Sequence, residues 1–235
     1  MERLDKILAH LNYGSRKQVK EYIRKGYFMV NGETIYDDDF KVNPVDDEIT
    51  FDGMTIEYSD QVYFMLNKPQ DVVSATWDTR YKTVVDLLEE HAKQGIFPVG
   101  RLDIDTTGLL IMTNDGKLAH RLLSPKYHVW KTYEASFSGE FKEEYYEKFT
   151  KGITLDDGYL CLPAKVKLIS DNIAHISIHE GKYHQVKRMF GALNMEVLTL
   201  KRISFGPLVL DENLELGSYR PLTDAEISLL QNEEV

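Results

Sequence analysis

Residues 98–115 read PVGRLDIDTTGLLIMTND, and the rest of the chain is organised around this stretch. An apolar run over 96–99 stops at Gly100, a polar turn follows over 101–107, and Gly108 opens a second apolar run over 109–112. Glycines on either side allow tight backbone turns, so the pattern predicts two strands holding a polar loop between them. That loop carries one cation, Arg101, and two carboxylates, Asp103 and Asp105. Carboxylates on a loop fixed by strands are well placed for chemistry. Asp, Thr and Gly are also ordinary turn residues, so spacing alone leaves a solvated hairpin turn as the competing reading.

Working outward, composition narrows the possibilities. A chain of 235 residues fits one large domain, or a small one joined to a medium one. With 43% hydrophobic and 28% charged residues it reads as an ordinary soluble globular protein. No apolar run is long enough to span a membrane. The start, MERLDKILAHL, is charged and amphipathic and lacks a signal-peptide core. The single Cys161 excludes an internal disulfide and any multi-cysteine metal site. A cytoplasmic, monomeric protein is expected. The formal net charge of −10 argues at first against a nucleic-acid partner, but its distribution argues the other way. Residues 1–30 carry seven cations (Arg3, Lys6, Arg16, Lys17, Lys20, Arg24, Lys25) against three acids, whereas residues 31–60 carry ten acids against Lys41 alone. This asymmetry points to a basic recognition face on an otherwise acidic body.

Leu4, Ile7, Leu8 and Leu11 recur at helical spacing before Gly14, and Ser15 is an N-cap for a second helix ending at Gly26. Arg16, Lys17, Lys20 and Lys25 crowd the solvent side of that helix. Asn31-Gly32 and Asp52-Gly53 each predict a hairpin turn. A domain boundary is expected near residue 60, giving units 1–60 and 61–235. In the second unit, strands are predicted at 62–68, 131–139, 160–168, 174–179 and 197–207. Helices are predicted at 83–91, 116–123, 142–151, 185–193 and 223–230. Strands outnumber helices and many are hairpin-linked, so the fold class is α+β, with a mostly antiparallel or mixed sheet.

GRLDIDTTGLLIMTNDG, residues 100–116, resembles the central motif of the pseudouridine synthases, specifically the RsuA-type enzymes of small-subunit ribosomal RNA. The resemblance implies that Asp103, the aspartate of G-R-L-D, is catalytic. Lys131 and Tyr133 match the family's K-x-Y segment, which implies that Tyr133 is the active-site tyrosine, stacking on the uracil and helping in proton transfer. GKYHQVKRM, residues 181–189, resembles a third motif whose basic residue pairs with the catalytic aspartate. Alignment on His184-Gln185 places Lys187 in that role, with Arg188 adjacent as the alternative or as an RNA contact. LKRISFG, residues 200–206, resembles a further family segment, with no role assigned to Lys201 or Arg202. At the other end, RLDKILA, SRKQV and IRKGYFMVNG resemble the alpha-L RNA-binding domain shared with a small-subunit ribosomal protein. That implies phosphate contacts from Arg3, Arg16, Lys17, Lys20 and Lys25.

The implied reaction breaks the N1–C1′ glycosidic bond of uridine and rejoins the base through C5. It calls for no metal, cofactor or group donor. A carboxylate serves as nucleophile or proton acceptor. Such an anion beneath an aromatic base tends toward its protonated form, and a paired Lys187 opposes this. Arg101 is expected to hold phosphate or fill the gap left when the nucleotide leaves its stack. Two other classes compete. Asp103 and Asp105 as the acid/base pair of a glycoside hydrolase would leave the basic N-terminal segment unexplained. A non-catalytic RNA-binding or ribosome-assembly factor would need no intact motif, yet Asp103, Tyr133 and Lys187 are all present. His175 and His179 are predicted on one strand and His184 at a helix start, so the three make no metal site. Within the family, the chain's length, its N-terminal domain and its QNEEV ending favour a small-subunit target over a large-subunit one.

Overall fold

The structure, a computed structural model, describes all residues except 12, 44–45, 57–60 and 233–235, and the side chains of all those described except residues 10 and 93. The expected boundary at residue 60 therefore falls partly outside the described residues.

The N-terminal residues form α1 (Leu4–His10), α2 (Arg16–Arg24) and a four-stranded sheet. Ser15 starts α2 as expected, its hydroxyl accepting from the Gln18 amide while the Gln18 side chain accepts from the Ser15 amide. The sheet is β1 (Phe28–Val30), β2 (Glu33–Thr34), β3 (Ile49–Phe51) and β4 (Met54–Thr55), in the order β2-β1-β3-β4. Both hairpin turns sit in the left-handed region, Asn31 at φ 50° and Gly32 at 80°, Asp52 at 48° and Gly53 at 77°. Leu4, Ile7, Leu8, Val19, Ile23 and Phe28 close one core beneath α1 and α2.

The rest of the chain is built on a nine-stranded sheet. It begins with β5 (Tyr63–Lys68), then the short parallel pair β6 (Val72–Val73) and β7 (Lys82–Thr83), which lies apart from the sheet. β8 (Phe97–Pro98) and β9 (Thr107–Thr113) pair antiparallel and hold the loop over 99–106 between them, as the sequence pattern predicts. After α3 (Gly116–Leu123) come β10 (Lys131–Ser138), α4 (Glu144–Lys151), β11 (Lys165–Ser170) and β12 (Ile173–Ile178). The chain closes with α5 (Gln185–Gly191), β13 (Glu196–Phe205), β14 (Leu208–Val209), β15 (Tyr219–Pro221) and α6 (Asp224–Gln231). The main strand order is β11-β12-β10-β13-β9-β5-β15, with β8 on β9 and β14 on β13; every pair is antiparallel except β9–β13. The fold is α+β with a mixed sheet.

Central strands of this sheet are buried on both faces, so they read as nearly unbroken apolar runs. Met65, Leu109 and Ile111 face Leu118, Leu122 and Leu230 on one side. Leu66, Leu110, Met112, Ala135 and Phe137 face Phe149, Val186, Met189 and Phe190 on the other. Gly108 decides how closely β9 and β13 approach. It has φ +100°, and a Cβ there would lie 2.3 Å from the Arg202 carbonyl oxygen, so any side chain would push the strands apart.

Two expectations need correction. Residues 83–91 are not one α-helix: they form 3-10 turns at Val85–Leu87 and Glu89–Gln94, separated by Leu88 at φ −116°. Thr83 and Asp86 bond each other's amides, adjacent β-branched Val84 and Val85 disfavour helix, and His91 is drawn onto the Phe64 ring at 4.4 Å. The strand expected over 160–168 begins only at Lys165, because Pro163 has no amide to give a ladder.

Candidate active site

The loop over 100–106 is fastened from beneath by the end of β5 and the residues after it. The Lys68 ammonium is fully buried and donates to the carbonyls of Pro69 (2.9 Å), Asp103 (3.1 Å), Ile104 (3.4 Å) and Thr106 (3.0 Å). Burial pushes it down to about 8, against the pull of Asp105, Asp103 and Asp71. The Ser74 hydroxyl donates to the Leu102 carbonyl (2.9 Å) and accepts from its amide (3.0 Å). The Asp71 amide donates to the Ile104 carbonyl at 3.0 Å. Every residue from Leu102 to Ile104, together with Thr106, thus has a backbone carbonyl held from below, which leaves the Asp103 side chain fixed at the surface of a cleft.

That cleft, of about 530 Å³, is lined by Arg101, Asp103, Tyr133, Lys182, Tyr183 and His184 among others. A volume of this size admits one nucleoside. Asp103 and Tyr133, predicted from segments 30 residues apart, therefore meet at one site, with Arg101 exposed at its edge. Lys187, on α5, reaches the same loop. Its ammonium lies 3.6 Å from Asp103 Oδ2 and 2.5 Å from Asp105 Oδ1. Partial burial alone would raise the Asp105 carboxyl, but the hydrogen bond and charge of Lys187 hold it below the ordinary range. One lysine thus spans both carboxylates. Arg188 points elsewhere, bonding Asp156 and Asp157.

Tyr133 stands opposite Arg202 across the β10–β13 ladder. Arg202 is 2% exposed, donates from Nε to the Leu109 carbonyl at 2.7 Å, and lies 5.1 Å from the Phe205 ring centroid. Burial pushes its guanidinium below the ordinary value, and the neighbouring Tyr133 partly opposes this. Arg202, Lys68, Ser74 and His184 are the site residues that motif reading passed over. Lys68 had a signal, since it is the lone charge at the end of the apolar run VYFMLNK; Arg202 had none that separates it from Lys201 beside it.

The N-terminal cations are extensively paired. Asp5, fully buried, takes hydrogen bonds from Arg3 Nε and Arg16 Nε, each at 2.9 Å, with Lys20 at 3.8 Å. Burial would raise the Asp5 carboxyl, but these two guanidinium groups hold it at about 2. Lys20 also lies 3.6 Å from both Asp38 and Asp39, and Lys25 bonds Glu21 at 2.8 Å. Lys17 is exposed on α2.

A carboxylate loop fixed at a nucleoside-sized cleft, in a chain whose first two helices carry a cluster of cations, fits an enzyme that acts on a nucleoside within a larger polyanion. Comparison with known proteins gives the family. The RNA pseudouridylate synthase model matches residues 62–192, and the S4 domain model matches residues 2–49. A Bacillus subtilis protein named "Uncharacterized RNA pseudouridine synthase YtzG" is 45% identical, spanning 99% of each chain. The Bacillus subtilis ribosomal large subunit pseudouridine synthase B is 40% identical over 98% of this chain and 96% of its own. The Haemophilus influenzae ribosomal small subunit pseudouridine synthase A is also 40% identical, over 97% and 99%. A crystal structure of a pseudouridylate synthase superposes with a TM-score of 0.72 at 39% identity, covering 98% of this chain and all of that one. The chain belongs to the RNA pseudouridylate synthase family and is a pseudouridine synthase with an N-terminal S4 domain.

Proposed function

We propose that this enzyme converts one uridine of small-subunit ribosomal RNA to pseudouridine in the cytoplasm, with Asp103 as its essential carboxylate. The observation that carries the reading is the placement of Asp103: its backbone is clamped by Lys68, and its side chain opens into the cleft beside Tyr133. Lys187 offsets one of the two negative charges of Asp103 and Asp105 and keeps the loop compact around the flipped nucleotide. Tyr133 supplies a flat face for the detached base, and Arg101, at the cleft edge, meets the phosphate or the gap left in the stack. Residues 1–60 act as the RNA-binding unit and 61–235 as the catalytic unit. Phosphates would compete with Asp38, Asp39 and Glu21 for Arg3, Lys20 and Lys25, while the exposed Arg16 and Lys17 meet the RNA directly.

A large-subunit target is the second reading, favoured by a relative of equal identity whose name specifies that subunit. Pseudouridine mapping in both ribosomal RNAs, from cells with and without the protein, separates the two. Loss of one small-subunit site supports the proposal; loss of a large-subunit site alone refutes that target. Re-expression of Asp103→Asn should fail to restore the site, and restoration would refute the role of Asp103.

A further inference from the structure

The two faces of the large sheet are covered unequally. Over β5 and β9 both are buried, because α3, α6 and β14 pack against one face and α5 against the other. Over β10, β12 and β11 burial alternates instead. Tyr133, Ala135 and Phe137 are buried, while Thr132, Glu134 and Ser136 between them are not. Ala174, Ile176 and Ile178 alternate in the same way with His175 and Ser177. Successive side chains of a strand point to opposite faces, so this half of the sheet has one packed face and one solvated face.

The solvated face carries cations and aromatic rings. Lys165 and Lys167 are exposed on β11, the strand at the sheet's edge, and among the described residues neither is paired with a carboxylate. Paired positions set Lys167, His175, Glu134 and Lys201 in one row across four strands. That row holds two lysines against one carboxylate, and His175 Nε2 already lies 3.3 Å from Glu134 Oε2. At one end of the face, Trp130 precedes β10 and His179 follows β12. Their rings lie 4.5 Å apart, and Lys165 Nζ stands 4.3 Å from the Trp130 ring centroid. The exposed His128 imidazole meets His179, Nδ1 to Nδ1, at 3.0 Å. Ile178, the residue before His179, lines the cleft, so the ring cluster begins where the cleft ends.

Rings offer a flat face to any base and lysines meet phosphate, so the combination suits a nucleic-acid strand whose bases are unpaired. A target nucleotide drawn into the cleft leaves its neighbours to run out over the adjoining surface. We propose that this face, from His128, Trp130 and His179 to Lys165, Lys167 and Lys201, is a second RNA-binding surface that takes single-stranded nucleotides flanking the target uridine. It rests on this enzyme's acting on ribosomal RNA, but on neither the choice of subunit nor the role of Asp103.

The test is filter binding of the full chain to small- and large-subunit ribosomal RNA transcripts across salt. Wild type is also photocrosslinked to the same transcripts carrying 4-thiouridine. Lys165→Gln with Lys167→Gln should weaken binding about 10-fold at about 0.1 M salt and make the slope of log affinity against log salt shallower by about 1.4, since two phosphate contacts go. Trp130→Leu, with circular dichroism confirming fold, should weaken it about 5-fold or more, the share of one stacked base. Lys142→Gln with Lys148→Gln removes the same charge beside α4, on the packed side of the sheet, and should bind as wild type does. Crosslinked peptides should include residues 128–132 or 165–179. Unchanged affinity and slope in the β11 variant, or a loss equal to that of the α4 variant, would overturn the proposal, as would crosslinks confined to the cleft and residues 1–30. If wild type binds neither transcript, the ribosomal RNA reading fails and takes this one with it; if wild type binds and the β11 variant matches it, only the second surface falls.

Discussion

Replacing Lys68 by methionine tests whether the clamp under the Asp103 loop holds both fold and activity. Methionine fills most of the lysine's volume but donates nothing. Three carbonyls within 3.1 Å, those of Pro69, Asp103 and Thr106, lose their donor at once. Hydrogen bonds from a charged donor contribute ~1.5–3 kcal/mol each. Against that loss stands the relief of a buried ammonium, whose fall from 10.5 to about 8 corresponds to ~3 kcal/mol. The net destabilisation is then about 2–6 kcal/mol. Activity should fall further than stability alone explains. The loop that carries Asp103 would be free to shift, and a misplacement of about 1 Å costs a reaction about 10²-fold. Urea unfolding followed by circular dichroism reads the first effect. Single-turnover pseudouridine formation, at a temperature where the variant is folded, reads the second. A variant within about 0.5 kcal/mol of wild type, the range of an ordinary surface substitution, with wild-type turnover, would refute the clamp.

Asp105→Asn should weaken activity much less than Asp103→Asn, measured as single-turnover rates, because Lys187 retains Asp103; equal loss in both would revive a paired-carboxylate chemistry. Lys187→Met should slow turnover while leaving RNA affinity near normal, whereas Lys17→Glu should weaken binding and flatten its salt dependence at nearly unchanged maximal rate. Filter-binding titrations across salt, beside kinetics at saturating RNA, distinguish the two patterns, and an N-terminal variant that lost only its rate would contradict the domain roles. The Asp5 carboxyl sits below its ordinary value, so its contribution is present above about pH 4 and lost as pH falls toward 2. Wild type should therefore lose about 1–2 kcal/mol across that window relative to Asp5→Asn, read as urea midpoints. The purified enzyme should work with no added metal or cofactor, and activity abolished by chelator and restored by zinc, with the RNA kept folded, would contradict this.

Local chemistry made much of this fold legible in the sequence. Ser15 with Gln18 and Thr223 with Glu226 write their own helix starts, and Asn31-Gly32 and Asp52-Gly53 write their own turns. Unbroken apolar runs at 63–66 and 109–112 announce strands buried on both faces. The motif around Asp103 marked the candidate site, because its cation and carboxylates sit on one short contiguous loop. Residues 83–91 were misread because burial of Val84, Val85 and Leu88, and stacking of His91 on Phe64, outweigh helical spacing in so short a segment. Of the partners of the site residues, only Lys187 beside Asp103 was implied, and that by the family resemblance rather than by local pattern. Lys68 meets Asp103 across 35 positions, Lys187 meets Asp105 across 82, and Arg202 meets Leu109 across 93. Capping, turn type and strand alternation act between near neighbours, so the sequence by itself determined them. Which carboxylate Lys187 grips, which cation lies buried under Tyr133, and what holds the Asp103 loop depend on how distant strands register, and only tertiary packing decides that.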